Sequence, residues 1–167
     1  MSTRLLVLLS LLVAGAALAA DPPAKPKKAE RPKVGPAFED IQARLYYENQ
    51  GAVDPRDLTT GKVTLWNTII AEGEAAHPSS TVLVEVVLTR PPEADMKATL
   101  KVTARADGKA LREVTFDLDR YTREGRRLVL PVIVTDVGCQ PVEVTAVLTQ
   151  GGSVAKRVET IPFACGE

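Results

Sequence analysis

From Ile41 onward, apolar residues recur at every second position, the period of strands with one buried face. The clearest run is 97–105, where Ala98, Leu100, Val102 and Ala104 alternate with Lys101, Thr103 and Arg105. Val82, Val84, Val86 and Leu88 form a second inward row, opposed by Glu85 and Thr89. Further rows are Val114-Phe116-Leu118, Leu128-Leu130-Val132-Val134 and Val142-Val144-Ala146-Leu148. Thr, Val and Ile dominate these runs, as pleated half-buried surfaces prefer. Lys62 to Ala71 reads as a strand with bulk on both faces. Ile41 to Tyr47 reads as another, with a short helix as the alternative. No segment of helical length with a 3.6-residue period follows the first 20 residues, so the domain is expected to be all-β.

Two hairpins follow from matching the apolar rows. Around Ala106-Asp107-Gly108, a three-residue loop with Gly last pairs Arg105 with Lys109. Leu100 then faces Val114, and Ala98 faces Phe116. A tight two-residue Asp-Gly turn would shift the register by one and put one row into water, so the three-residue loop is expected. The second hairpin turns at Gln150-Gly151-Gly152-Ser153 and returns through Val154, Val158 and Thr160. Putting that row inside again requires an odd loop. With Gly151–Ser153 as the loop, Cys139 falls opposite Cys165; with Gln150–Gly152, it faces Phe163 and the cysteines sit diagonally.

The N-terminus has a different pattern. Arg4 is followed by an apolar run from Leu5 to Leu18, too short to span a bilayer comfortably. Ala17-Leu18-Ala19 closes it with the small residues of a signal-peptidase site, so residues 1–20 are expected to be a cleaved signal peptide. Residues 21–36, DPPAKPKKAERPKVGP, hold five Lys/Arg against two Asp/Glu and five prolines. Such a stretch favours an extended, disordered linker. Residues 37–167 form the domain and carry 15 Lys/Arg against 19 Asp/Glu, a mildly acidic balance. No basic patch dense enough for nucleic acid appears, and no second run of membrane length follows the signal. The expected location is therefore periplasmic or extracellular, with no integral membrane segment after cleavage.

Export changes how the cysteines are read. Two cysteines in an exported chain usually pair, and both hairpin registers bring Cys139 near Cys165. Closing a loop of about 26 residues stabilises a fold by about 3.5 kcal/mol in the chain-entropy model.

Seven or eight strands in about 130 residues, turned every ten or so, indicate two packed antiparallel sheets. In strand count and spacing, residues 41–165 resemble immunoglobulin-like and fibronectin-III-like modules of secreted bacterial proteins. The antibody signature is missing, because Trp66 precedes both cysteines and these join one hairpin. The resemblance implies a two-sheet antiparallel immunoglobulin-like sandwich and, on its own, no particular function.

Candidate chemistry is sparse. His77 is the only histidine and sits in the loop GEAAHPSS (73–80), beside Ser79 and Ser80, where triad geometry is rare. A single histidine does not suffice for a zinc or copper site of several His ligands. The carboxylate pairs Glu72/Glu74, Glu93/Asp95 and Asp117/Asp119 read as solvent-facing rows. No catalytic residue, metal or cofactor is assigned. Tyr46 and Tyr47 should point to opposite faces, and Trp66, beside Leu65 and Ile69, is expected to be buried at the sandwich edge, the alternative being that these aromatics mark a carbohydrate or protein contact surface. The loop RYTREGRR (120–127) is the best candidate for an acidic partner, through Tyr121, Arg123, Arg126 and Arg127. The expected function is a non-enzymatic binding or structural module acting on another envelope or extracellular protein. The alternative is a soluble inhibitor or accessory subunit of an envelope enzyme, acting through its loops.

Overall fold

In a computed structural model of the chain, residues 35–91, 96–121 and 125–165 are described. The expected signal peptide and nearly all of the expected linker lie outside them, as does Arg123. The strands are β1 (Ala37–Tyr47), β2 (Ala52–Val53), β3 (Leu65–Trp66), β4 (Thr81–Thr89) and β5 (Ala98–Ala106). They continue with β6 (Lys109–Asp117), β7 (Arg127–Val134), β8 (Val142–Gln150), β9 (Ser153–Ile161) and β10 (Phe163–Ala164). One antiparallel sheet runs β2-β1-β4-β7 and packs against a second that runs β6-β5-β8-β9; β10 and β3 form a short parallel pair. The chain is a two-sheet β-sandwich, and the described residues contain no α-helix.

The alternating rows make the core. Val82, Val84, Val86 and Leu88 of β4 meet Leu100, Val102 and Ala104 of β5 and the Val142 to Leu148 row of β8, all buried. Each fully buried aliphatic side chain contributes about 2 kcal/mol of transfer free energy, which is what holds two half-polar sheets together. Tyr47 ends the inner row of β1 and is buried, whereas Tyr46 points outward.

Both hairpins differ from expectation in their turns. Asp107 and Gly108 both adopt left-handed conformations (φ 48° and 72°), making a two-residue turn that pairs Ala106 with Lys109. Such a turn matches the right-handed twist of the strands better than the expected three-residue loop. A bulge beyond it pairs Arg105 with Ala110 and Ala104 with Arg112, leaving Leu111 as the extra residue. The bulge restores parity: Leu100 faces Phe116, Val102 faces Val114, and both rows stay inside.

The β8–β9 hairpin has no such rescue. Gly151 and Gly152 are both left-handed, and Gln150 pairs with Ser153. Val154, Val158 and Thr160 therefore face solvent, with Val154 66% exposed, contrary to the expected inward row. The inner side carries Ala155, Arg157, Glu159 and Ile161. Because β9 is an edge strand, Arg157 can reach across to β1. It donates to Asp40 Oδ1 at 3.0 Å and to the Glu39 carbonyl at 2.7 Å, while also pairing with Glu159. Inward charge is one way an edge strand is kept from pairing with other chains.

The remaining free edge of β1 is closed in the same manner. Asp57 Oδ1 accepts from the Ala43 amide (3.1 Å), and the Asp54 amide donates to the Leu45 carbonyl (2.9 Å). Since Ala43 and Leu45 turn their backbone groups away from β4, their partners Val84 and Val82 bond instead to Val132 and Val134 of β7. The intervening β7 residues, Val129, Pro131 and Ile133, then direct their backbone groups to the open edge. No described residue bonds to them there. Val129 and Ile133 also expose their side chains. Pro131 has no N–H to offer, and its ring occupies the space a neighbouring carbonyl would need, so it blocks strand addition at the middle of β7.

Replacing Pro131 with Thr should therefore open this edge. Sedimentation velocity across a concentration series should show Pro131→Thr associating further than its parent at each concentration. A variant that associates no more than its parent would refute the role given to Pro131.

Candidate functional site

The 62–71 run, expected to be one strand, is broken after Trp66. Asn67 turns left-handed (φ 42°), Thr68–Ile70 make one 3-10 turn, and Ala71 is left-handed again (φ 58°). A non-glycine residue there costs about 1–2 kcal/mol, so this conformation persists only because its surroundings impose it. The result places Leu65 and Thr68 inside and leaves Trp66, Ile69 and Ile70 outside, 42%, 47% and 61% exposed. The expected burial of Trp66 is thus corrected: Leu65, its neighbour on the strand, takes the inward position.

Thr68 is fully buried and acts as a peg. Its hydroxyl donates to the Ser79 carbonyl (3.0 Å), its amide to the Gly138 carbonyl (3.3 Å), and its own carbonyl accepts from the Ser79 amide (2.8 Å). Gly138 lies so close that a Cβ there would sit 2.7 Å from Thr68 Oγ1 and 2.9 Å from Ile69 Cγ1. Its φ of 124° likewise suits only glycine. On the other side, the Asn67 amide donates to the Ala164 carbonyl of β10 (2.7 Å). The expected Cys139–Cys165 disulfide is present, with a Cα–Cα separation of 4.6 Å. It joins the 136–140 loop to the chain end after β10, and so flanks the Trp66–Ile70 segment as well as tying the last hairpin.

A second polar cluster fixes the adjoining loop 73–80. Asp54 is 2% exposed and accepts two bonds from the Arg56 guanidinium (2.9 and 2.7 Å) and one from the Tyr47 hydroxyl (2.5 Å). Arg56 also donates to the Glu74 carbonyl, and Tyr47 Oη accepts from the Ala76 amide. The hydrogen bonds from Arg56 hold the Asp54 carboxyl well below the usual carboxylate range, with Tyr47 adding to them and burial opposing. Burial, then the bond to Asp54, pushes the Tyr47 phenol up. His77 packs edge-on against the Tyr47 ring, with centroids 5.3 Å apart. Ser79 is buried, with its hydroxyl directed at the carbonyls of Tyr46 and Thr81. Neither residue is placed as a nucleophile and base. Glu72 and Glu74 are occupied locally, accepting from Asn67 Nδ2 and the Thr64 amide.

Two clefts of about 390 Å³ each flank Ile69. One is bounded by Ala106, Lys109, Leu111, Val137 and Cys139, the other by Glu48, Pro78, Ser80 and Thr135. Glu48, Glu72, Glu74, Asp107 and Asp136 are exposed at this end, against Lys109, Arg105 on the 107–108 turn and Arg56 beside Glu74, so the rim of the apolar tip carries an acidic excess. Among the described residues no group of three or more His, Cys, Asp or Glu could hold a metal ion.

The arginine loop lies at the opposite end of the sandwich. Tyr121 packs on Phe116 with ring centroids 6.4 Å apart and adds to the core. Arg127 pairs with Glu39 at 3.0 Å. Arg126 is exposed and accepts the Arg90 amide through its carbonyl. Asp117 caps the next turn and pairs with Arg120. Sequence reasoning missed Asp54, Arg56, Thr68, Ile69 and Ile70. Asn67, tolerant of left-handed geometry, was the available signal that the strand stops.

No protein-family model matches the sequence, and no curated protein matches it significantly. Among the described residues no helix is long and apolar enough to cross a membrane.

Replacing Asp54 by Asn should cost about 2–3 kcal/mol at pH 7, because Tyr47 and Arg56 lose a charged buried acceptor. The native carboxyl titrates below its unfolded value, so its contribution is present above about pH 4 and lost as pH falls through the native pKa. Denaturant melts of both proteins should converge as the pH is lowered below about 4. A constant gap across that range would refute the assignment.

Proposed function

We propose that the protein is an exported, non-enzymatic binding module that meets a protein partner through the disulfide end of its sandwich. The observation that carries this reading is Trp66, Ile69 and Ile70, held exposed on a strained turn whose every neighbour is fixed. Large apolar side chains on a pre-ordered segment lose little entropy on binding, which is how a few residues come to dominate an interface. The acidic rim favours a partner with an apolar cleft edged by Lys or Arg. Strand order, sandwich architecture and paired cysteines support an immunoglobulin-like or fibronectin-III-like module working in an oxidising compartment, periplasmic or extracellular. In such folds, loops gathered at one end carry recognition while the sheets serve as scaffold. The same surface also suits an inhibitor or accessory subunit, because the loop 73–80 stands beside it.

The competing surface is the arginine loop with Tyr121, Arg123, Arg126 and Arg127. A photo-crosslinking residue placed at position 70, at 126, or at 101 on the outer sheet face separates the two in cells making the protein. A discrete adduct should form from position 70 alone, and Trp66→Ala or the pair Glu72→Lys and Glu74→Lys should weaken it at least tenfold. An adduct from position 126 that is lost in Arg123→Ala/Arg127→Ala would transfer the function to the arginine loop.

A further inference from the structure

We propose that the Cys139–Cys165 bond is a redox gate on the Trp66–Ile70 surface, opened by a dithiol reductant of the compartment in which the protein works. This rests on the reading of that surface as the contact site, and it adds how the surface would be regulated. The Thr68 and Asn67 amides donate respectively to Gly138, in the loop before β8, and to Ala164, in the two-residue β10, while the Thr68 carbonyl and hydroxyl bond to Ser79, whose own hydroxyl reaches β1 and β4. Cys139 immediately follows the first of these anchors and Cys165 the second. β10 stands apart from the β8–β9 ladder, which ends at Ile161, and Pro162 lacks the N–H to extend it. Phe163, buried in the core, keeps the start of β10 in place. What the disulfide adds is the closure of Ala164 and Gly138 around Asn67 and Thr68.

The strained residues concentrate at the same place. Asn67, Ala71, Asp136 and Gly138 all have positive φ and lie within or against the clamped segment. Once the covalent bond is gone, those torsions can relax while the seven long strands keep their hydrogen bonds and core. The bond is also reachable, because Cys139 lines the open cleft bounded by Ala106, Lys109 and Leu111, and both cysteines are half-buried. One thiolate of the dithiol attacks a cysteine sulfur and breaks the S–S bond, giving a mixed disulfide. The second thiol of the reductant displaces the protein, so that two electrons and two protons end on Cys139 and Cys165. The reductant leaves as its own disulfide.

The test uses the full chain, oxidised and then reduced in its folded state with dithiothreitol, with thiol titration to establish complete reduction. Hydrogen exchange at the bonded amides of Asn67, Thr68, Ile70 and Ala71 should accelerate at least tenfold. Amides of β4, β5 and β8 should change less than twofold. Trp66 is the only tryptophan, so its emission should shift to the red in parallel. Cys139→Ser/Cys165→Ser should show the same pattern without reductant; should it not fold, reduction of the folded parent decides alone. Unchanged exchange at the four amides, an equal rise across both sheets, or a bond that dithiothreitol reduces only after denaturation would each overturn the gate. The adduct from position 70 is then compared before and after reduction. Its loss supports gating of binding. Its persistence beside accelerated exchange overturns gating, and its absence from oxidised protein refutes the contact surface while leaving the exchange result intact.

Discussion

Burial of one face of every long strand is the constraint on which the rest of the molecule depends. β4, β5 and β8 each place four small or branched apolar side chains on their inner side, and together these fill the space between the sheets. Their outer positions are free to be Lys, Thr, Glu or Arg. Parity is the consequence. A strand can enter this core only if its turn delivers it on the correct face, and a one-residue error exposes the whole row. The β5–β6 hairpin meets the requirement by adding a bulge after a tight turn. The β8–β9 hairpin does not, and β9 survives because an edge strand touches the core only near its end, at Ile161.

The edges show how differently the same problem can be handled. β1 has its outward backbone groups taken by Asp54 and Asp57, from the loop after β2, and by Arg157 of β9. β9 turns two charges inward. β7 has neither device, and relies on one proline. These devices protect three of the sandwich's edges, which matters more for a protein with little net charge to keep copies apart.

Legibility followed the range of the interactions involved. The inner rows were readable because period-two burial is local, and the disulfide because redox compartment and hairpin closure are coarse constraints that tolerate a register error. Val154 and Val158 were misplaced because both sides of a hairpin were assumed to need apolar interiors, which an edge strand escapes. Trp66 misled through composition: an apolar run containing Ile69 and Ile70 looks like a strand until Asn67 and Ala71 adopt left-handed torsions. Asp54 and Arg56 carried no periodic signal. Their importance comes from meeting Tyr47 and the loop at Glu74, contacts that only the folded chain creates. Tyr121, an aromatic in a basic loop, also packs on Phe116 and against the core, a contact that the composition of its loop does not signal.

Two apolar surfaces compete for a functional reading, and their surroundings separate them. The outer face of β4 and β7 offers Leu83, Val129 and Ile133, but the ion pair between Arg44 and Glu85 lies across its middle, opposite Pro131. A partner seated there would have to desolvate that pair or leave it wet, and it would meet an edge built to refuse a strand. The Trp66–Ile70 turn has no such obstruction. Its charges stand around the apolar group rather than through it, so they can remain hydrated while the tip is covered. Strain points the same way: a left-handed alanine next to two exposed isoleucines costs stability that a solvated loop would recover by relaxing. The chain instead surrounds it with Thr68, Gly138, β10 and a disulfide. Presentation of those side chains is the one feature of this end that such rigidity serves.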